Sequence, residues 1–276
     1  MKSLIHIIFV SITTLLEVES FTSLNNYAQK EKIRLGFKKT SNSVVVWSGH
    51  KNNDFDMWSI NPLTLETARL ESPSLSINET VHWCANFVVD LQLCPWAKSS
   101  LETTNALHLF RVAGHQGPIT ADQADQVIAA VGNRFEDFLR KATPELEASA
   151  IFFVIFDDPD FNSILCDFGQ FYNWFDDLEQ SSLIGEDVTI APFHPSWNFG
   201  VSDDGDGEEE LLLNYEKRSP WPTISFVSSR IIDKAGPVAS EQIAENNFKV
   251  LTGFAHDELK SFWCDQVKAK PNEGPI

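Results

Sequence analysis

Hydrophobic positions along this chain change period several times, and each change marks an element. Over residues 106–112, Ala106, His108, Phe110 and Val112 alternate with Leu107, Leu109 and Arg111, the two-residue period of a strand. Thr120 and Gln123 stand at capping-box spacing. Behind them Ala124, Val127, Ile128, Val131, Phe135, Phe138 and Leu139 fall on one stripe of a long helix that ends before Pro144. Residues 151–156 are an unbroken apolar run of strand length, which predicts a central strand buried on both faces, and the acidic stretch 157–160 breaks it. A second helix is expected over 161–182, with Leu165, Phe168, Phe171, Tyr172, Phe175 and Leu178 at helical spacing. A strand over 187–193 then ends at His194-Pro195, a fourth strand is read at 223–227, and a closing helix over 240–263.

Upstream, Asn78 can cap a helix whose apolar positions are Val81, Cys84, Ala85, Val88 and Leu91; Pro95 stops it and leaves Cys94 at the helix exit. Residues 54–77 mix Trp58, Pro62, Pro73 and several serines without a sustained period and read as a linker; residues 265–276 read as a tail. Strands alternating with helices make a βαβαβ unit. The fold class is therefore α/β (α+β): one domain over 78–264, a mixed sheet of about four strands, and helices packed on it.

The front of the chain has a different character. Lys2 precedes an almost unbroken apolar run over residues 4–16, whose rise of about 20 Å as a helix falls short of the roughly 30 Å of a bilayer core. Residues 1–20 read as a cleaved signal peptide. Residues 21–53 follow with Lys30, Lys32, Arg34, Lys38, Lys39 and Lys51 and many hydroxyl and amide side chains, which is transit-peptide composition. A signal peptide followed at once by Phe21 and such a stretch resembles the two-part presequences of secondary-plastid algae. The expected destination is a plastid, and simple secretion is the alternative. Asn78-Glu79-Thr80 is a glycosylation sequon, read here as a helix start.

Charge supports a cut. Residues 1–78 hold 8 Lys/Arg and 7 Asp/Glu, while 79–276 hold 13 against 32, so nearly all of the net charge of −18 lies in the body. Such a body repels phosphate backbones and anionic bilayers, which argues against nucleic acid or membrane partners for the mature form. The thiols at 84, 94, 166 and 264 are too few and scattered for a disulfide framework. On one continuous helix Cys84 and Cys94 would lie about 15 Å apart, beyond the roughly 7 Å limit for bridging.

Candidate chemistry concentrates in two stretches, Leu93-Cys94-Pro95-Trp96-Ala97-Lys98 and Phe193-His194-Pro195-Ser196-Trp197-Asn198-Phe199-Gly200, the second followed by Asn214-Tyr215 and Arg218-Ser219-Pro220-Trp221-Pro222. Together with the pattern D-F-x-x-F-x-x-W-F-D-D over 167–177, and with Asn247 and Leu251 near the end, these motifs resemble an uncharacterised bacterial and organellar family, catalogued as the domain of unknown function numbered fourteen-fifteen. The resemblance runs from about residue 79 to 253. It implies one compact domain and a shared site, with no known activity. The family pattern tends to have Asn before the Arg-Ser-Pro and His shortly after it, where this chain has Lys217 and Ser225.

A thiol, an imidazole and a guanidinium, each beside a proline and an aromatic ring, suggest a small polar pocket with apolar walls. Cys94 and His194 are the candidate catalytic residues. His194 closes a strand of an α/β sheet, where ligands usually bind, and suits a general acid or base; a structural His bonded to a carbonyl is the other reading. Cys94 is either a nucleophile or a small buried hydrophobe, and a helix C-terminus disfavours its thiolate. Arg218 can clamp a carboxylate or phosphate, or else pair with the acidic run 203–210. Asn214 and Lys98 are secondary polar contacts, and Trp96, Trp197 and Trp221 are candidate walls. Metal-ligand spacings, a phosphate-cradling glycine loop and a G-x-S-x-G elbow are absent, so the sequence names no metal and no cofactor, and it leaves the oligomeric state open. The function expected is a small enzyme or an anionic small-molecule-binding domain with a Cys/His/Arg pocket; the alternative is a non-catalytic plastid binding or assembly factor.

Overall fold

The computed structural model describes residues 50–51, 56–60, 74–103, 105–113, 118–158, 163–198 and 208–267. The chain divides into two units, Met1–Lys39 and Thr40–Ile276, and every described residue lies in the second. The segments read as signal peptide and transit stretch, apart from His50 and Lys51, lie outside the described residues. So do most of the acidic run and the end of the tail.

In chain order the elements are β1 (His50–Lys51), β2 (Asp56–Ile60), α1 (Leu75–Trp83), α2 (Pro95–Glu102), β3 (Leu107–Ala113), α3 (Ala121–Leu139), α4 (Pro144–Ser149), β4 (Ile151–Asp157), α5 (Phe168–Gln180), β5 (Val188–Phe193), α6 (Glu208–Leu213), β6 (Thr223–Ser228), α7 (Ser229–Leu251) and α8 (His256–Val267). The sheet runs β1-β2-β3-β4-β6-β5. β3 and β4 are parallel, and β6 lies antiparallel between β4 and β5. The three strands of the expected βαβαβ unit therefore point the same way, with β6 inserted before the last of them. Their C-terminal ends, and the N-terminal end of β6, share one edge of the domain.

The apolar run of β4 is central and its apolar residues are buried, as its pattern predicts. Phe152, Val154 and Phe156 pack on one face with α3 and α5; Ile151, Phe153 and Ile155 pack on the other with α1 and α8. Both faces are covered, which is why the strand shows no polar alternation. Each of its fully buried large side chains contributes about 1.5–3 kcal/mol through burial alone. The capping box of α3 is present: Gln123 N–H donates to Thr120 Oγ1 at 3.3 Å and Thr120 N–H to Gln123 Oε1 at 3.0 Å.

Several boundaries differ from the sequence reading. Residues 56–60, read as linker, form a strand paired antiparallel with β3. The first helix begins at Leu75 after Ser74, so Asn78 lies inside it. The expected helix over 161–182 is shorter, because Asp167 caps it and accepts Gln170 N–H at 2.9 Å. The single closing helix is two, α7 and α8; α7 is itself kinked where Gly236 takes φ 75° ahead of Pro237, a conformation that glycine reaches without a Cβ clash. The last helix continues to Val267, into the segment read as tail, and Glu208–Glu210 open a helix rather than prolong a loop.

The largest correction concerns Cys94. The first helix passes into a π-helical turn, Cys84–Val89, and the chain then reverses at Gln92, which takes φ 56° while Leu93 N–H donates to Val88 O at 2.9 Å. Cys94 adopts extended φ/ψ and becomes the N-cap of α2, with Pro95 at the first helical position. Proline fits there because its missing N–H would be unpaired anyway. The residue thus starts a helix instead of leaving one, and Cys84 and Cys94 do not share a continuous helix.

Candidate functional site

The segment from Asn214 to Arg218 is the hub. Asn214–Lys217 is one turn of 3-10 helix, with Asn214 and Tyr215 buried. His194 N–H donates to Lys217 O at 3.1 Å. Arg218 Nε donates to Trp197 O at 3.1 Å, so the motifs around 194 and 218 meet directly. Cys94 lies close enough to Lys217 and Glu216 to feel both charges.

His194 follows β5 and is buried. Ser196 N–H donates to its Nδ1 at 3.1 Å, which leaves the ring proton on Nε2, and Nε2 donates to Leu165 O at 3.0 Å. Both nitrogens are engaged in this assigned tautomer. The ring sits 5.1 Å from Phe171 and 5.7 Å from Phe168, centroid to centroid. Burial pushes its pKa down, while the Leu165 carbonyl and Asp167 pull it up. A neutral imidazole tied to two backbone groups is a cross-link between loops, with no free nitrogen to offer a substrate.

The Cys94 thiol is half-buried. Burial raises its pKa, against the lowering effect of the Trp96 and Ala97 N–H groups and of Lys217, and Glu216 raises it further. Cys84 is pushed up to about 12, first by burial and then by Cys94. The helix N-terminus thus favours the Cys94 thiolate, contrary to the sequence reading, but desolvation outweighs it and the thiol stays protonated.

Arg218 is half-buried. Its guanidinium carbon lies 4.3 Å from the centre of the Tyr215 ring, an arrangement worth about 0.5–2 kcal/mol. Burial pushes the Tyr215 hydroxyl up, and Arg218 opposes this. Among the described residues no carboxylate lies within ion-pair distance of the guanidinium. Trp263 Nε1 donates to the Arg218 carbonyl at 3.4 Å, so α8 braces the backbone as well.

The three tryptophans divide. Trp197 is buried against Phe168 at 5.0 Å and Tyr172 at 6.1 Å, and lends its carbonyl to Arg218. Trp221 Nε1 donates to Glu79 Oε2 at 2.9 Å, tying the Arg-Ser-Pro-Trp-Pro stretch to α1. Ser219 and Thr223 hydroxyls both donate to the Trp221 carbonyl, at 2.6 and 2.8 Å. Trp96 is half-buried against the apolar cluster on the α1 face. Lys98 is not drawn in: its side chain is 69% exposed and, among the described residues, reaches only Glu102, 4.0 Å away.

Other participants are not among the candidate site residues, although Asn247 belongs to the motifs that carry the resemblance. Asn247 is buried and its Nδ2 donates to Leu93 O at 3.0 Å. At the C-terminal ends of β3 and β4, Arg111 Nε meets Asp157 Oδ2 at 2.6 Å, and Ser76 Oγ donates to the same oxygen at 2.9 Å. The strand pattern places Arg111 only on the face shared with Leu107 and Leu109, and nothing in the local sequence marks Asp157 as its partner. Of the two departures from the family pattern, Lys217 places its ammonium 5.0 Å from the centre of the Phe193 ring, and Ser225 is buried in β6 with its hydroxyl 3.4 Å from Ala191 O.

A cleft of about 370 Å³ opens beside Tyr215, lined by Leu212, Phe254, Ala255, His256 and Asp257. No candidate residue lines it, and Asp257 makes it a poor seat for an anion. Among the described residues there is no group of three or more His, Cys, Asp or Glu side chains able to hold a metal ion, and no helix long and apolar enough to cross a membrane.

Residues 76–261 match the model of a family described as protein of unknown function, DUF1415. No curated protein and no solved structure matches the chain.

Proposed function

The chain belongs to the DUF1415 family, and from the geometry above we propose that its domain binds a small anionic ligand through Arg218. The observation that carries this reading is the guanidinium itself: half-buried, held by the Tyr215 face and the Trp197 carbonyl, and without a carboxylate partner among the described residues. A planar fork fixed at Nε, with the Tyr215 hydroxyl also bonded to it, presents N–H donors in an orientation that suits a carboxylate, sulfate or phosphate. The reading assigns no chemical step. Cys94 is held as a thiol and His194 has both nitrogens engaged, so neither is offered as nucleophile or base.

Native mass spectrometry of the purified protein tests it. A bound anion that disappears in Arg218→Ala supports the reading, and a bound anion retained in that variant contradicts it.

A second reading, a non-catalytic plastid binding or assembly factor, draws on the internal use of His194, Trp221 and Asn247, each of which ties one loop to another. Routing to a plastid with loss of about the first fifty residues belongs to either reading and rests on the presequence composition alone. Sequencing the N-terminus of the protein isolated from cells decides it: an intact Met1 rules the routing out.

A further inference from the structure

His194 and Arg218 are linked through one short loop. The imidazole accepts Ser196 N–H inside the loop and, through its other nitrogen, anchors the loop to the Leu165 carbonyl outside it. Trp197 N–H closes the turn onto His194 O at 3.1 Å. Trp197 then turns its own carbonyl to Arg218 Nε. The direction of the guanidinium thus depends on a carbonyl three residues from the ring, in a turn that the ring itself holds.

We infer that His194 is a positioning residue for Arg218, and that only its neutral imidazole holds the Trp197 carbonyl where it fixes the guanidinium. The inference rests on the anion-binding reading above for its functional meaning, and on the hydrogen bonds alone for its geometry. Its chemistry follows from the donor and acceptor inventory of the ring. Neutral His194 has one acceptor nitrogen, and Ser196 N–H uses it. A second ring proton turns Nδ1 into a donor facing another donor, so the Ser196 contact breaks and the turn opens. Trp197 O then leaves Arg218, whose fork loses its anchor at Nε.

The groups packed around the ring set where this happens. From α5 the Phe168 and Phe171 rings face it, and Asp167, the N-cap of α5, supplies the one charge that reaches it among the described residues. From the turn before α5 comes the Leu165 carbonyl, and from the 3-10 turn only the Lys217 carbonyl, which meets the His194 backbone. Desolvation outweighs Asp167, so protonation falls below the ordinary imidazole range, about pH 6.5. Acidification releases the anion, and neutral pH retains it.

The test follows the Arg218 Nε–H signal by nitrogen-15 NMR in the full chain, identified by its absence from Arg218→Lys, from about pH 8 downward through the titration of the His194 ring, with and without sulfate. The expected result is a solvent-protected signal at the upper end that is lost in step with titration of the His194 ring. Sulfate binding should weaken roughly tenfold or more across the same step. In His194→Asn the amide oxygen can accept Ser196 N–H in place of Nδ1. That variant should keep the signal at high pH and lose its pH dependence. An Arg218 signal that stays unchanged while His194 titrates in the wild type overturns the inference, whether or not the variant folds. If the signal follows His194 but sulfate never perturbs it, the anion-binding reading fails and the positioning role stands. If sulfate binds at Arg218 equally on both sides of the His194 titration, the binding reading stands and the positioning role fails.

Discussion

Asn247 in α7 is fully buried and donates from Nδ2 to the carbonyl of Leu93, the residue before Cys94, at 3.0 Å. The contact spans 154 residues and holds the reversal at Gln92 that brings Cys94 to the start of α2. Truncation to Ala leaves the Leu93 carbonyl buried and unpaired, which costs about 1–3 kcal/mol. Urea denaturation of Asn247→Ala should show that loss together with faster labelling of Cys94. A variant as stable as wild type would mean that the helix packs there without the bond.

Thiol labelling separates packing from chemistry at the cysteines. Desolvation raises the pKa of both buried Cys84 and half-buried Cys94, and a protonated thiol is a poor nucleophile. In native protein at neutral pH, iodoacetamide should modify these two more slowly than Cys166 and Cys264, and all four should react alike after denaturation. Rapid labelling of native Cys94 would restore the case for a nucleophile.

Stability should depend on pH through two imidazoles, buried His194 and half-buried His108. Burial lowers the pKa of both His108 and His194 in the folded state. Below the unfolded value of about 6.5 the unfolded chain takes up protons that the folded chain refuses, so stability is complete above that pH and falls as pH drops through it. Melting curves collected downward from neutral pH should show the decline, and His194→Asn should reduce its slope. A slope unchanged in that variant would place the effect elsewhere.

Lys98→Ala should be silent. The side chain is exposed and reaches Glu102 only weakly, an i,i+4 pair of the kind worth a few tenths of a kcal/mol at most. The expected change in stability is within about 0.5 kcal/mol, with anion binding as in wild type. Lost binding would show that Lys98 turns inward when ligand is present.

Sequence and structure agree where information is local. The helical stripe behind Thr120 and the apolar run at 151–156 specify their elements within their own length, and both appear as read. What escaped depends on distant contacts. β6 enters between β4 and β5 because antiparallel pairing, not chain order, decides sheet neighbours. β2 is a five-residue strand whose pairing with β3 outweighs the lack of a period in its own sequence. Pro95 is compatible with a helix end or a helix start, and only the turn at Gln92 decides between them. In the site, the meeting of the 194 and 218 motifs was readable from their matching surroundings. That the ring nitrogens of His194 are consumed by Leu165 and Ser196 was not, since backbone partners leave no signature in side-chain sequence.

Arg218 is the proposed seat of an anion. Equilibrium dialysis against radiolabelled sulfate at fixed ionic strength measures this directly in wild type, Arg218→Lys and Arg218→Ala. Charge-assisted hydrogen bonds worth about 1.5–3 kcal/mol predict saturable binding of about one sulfate per chain in wild type, weakened in Arg218→Lys, where the planar fork is lost, and reduced roughly 10- to 100-fold in Arg218→Ala. Saturable binding that survives Arg218→Ala unchanged, or no saturable binding in wild type, would contradict it.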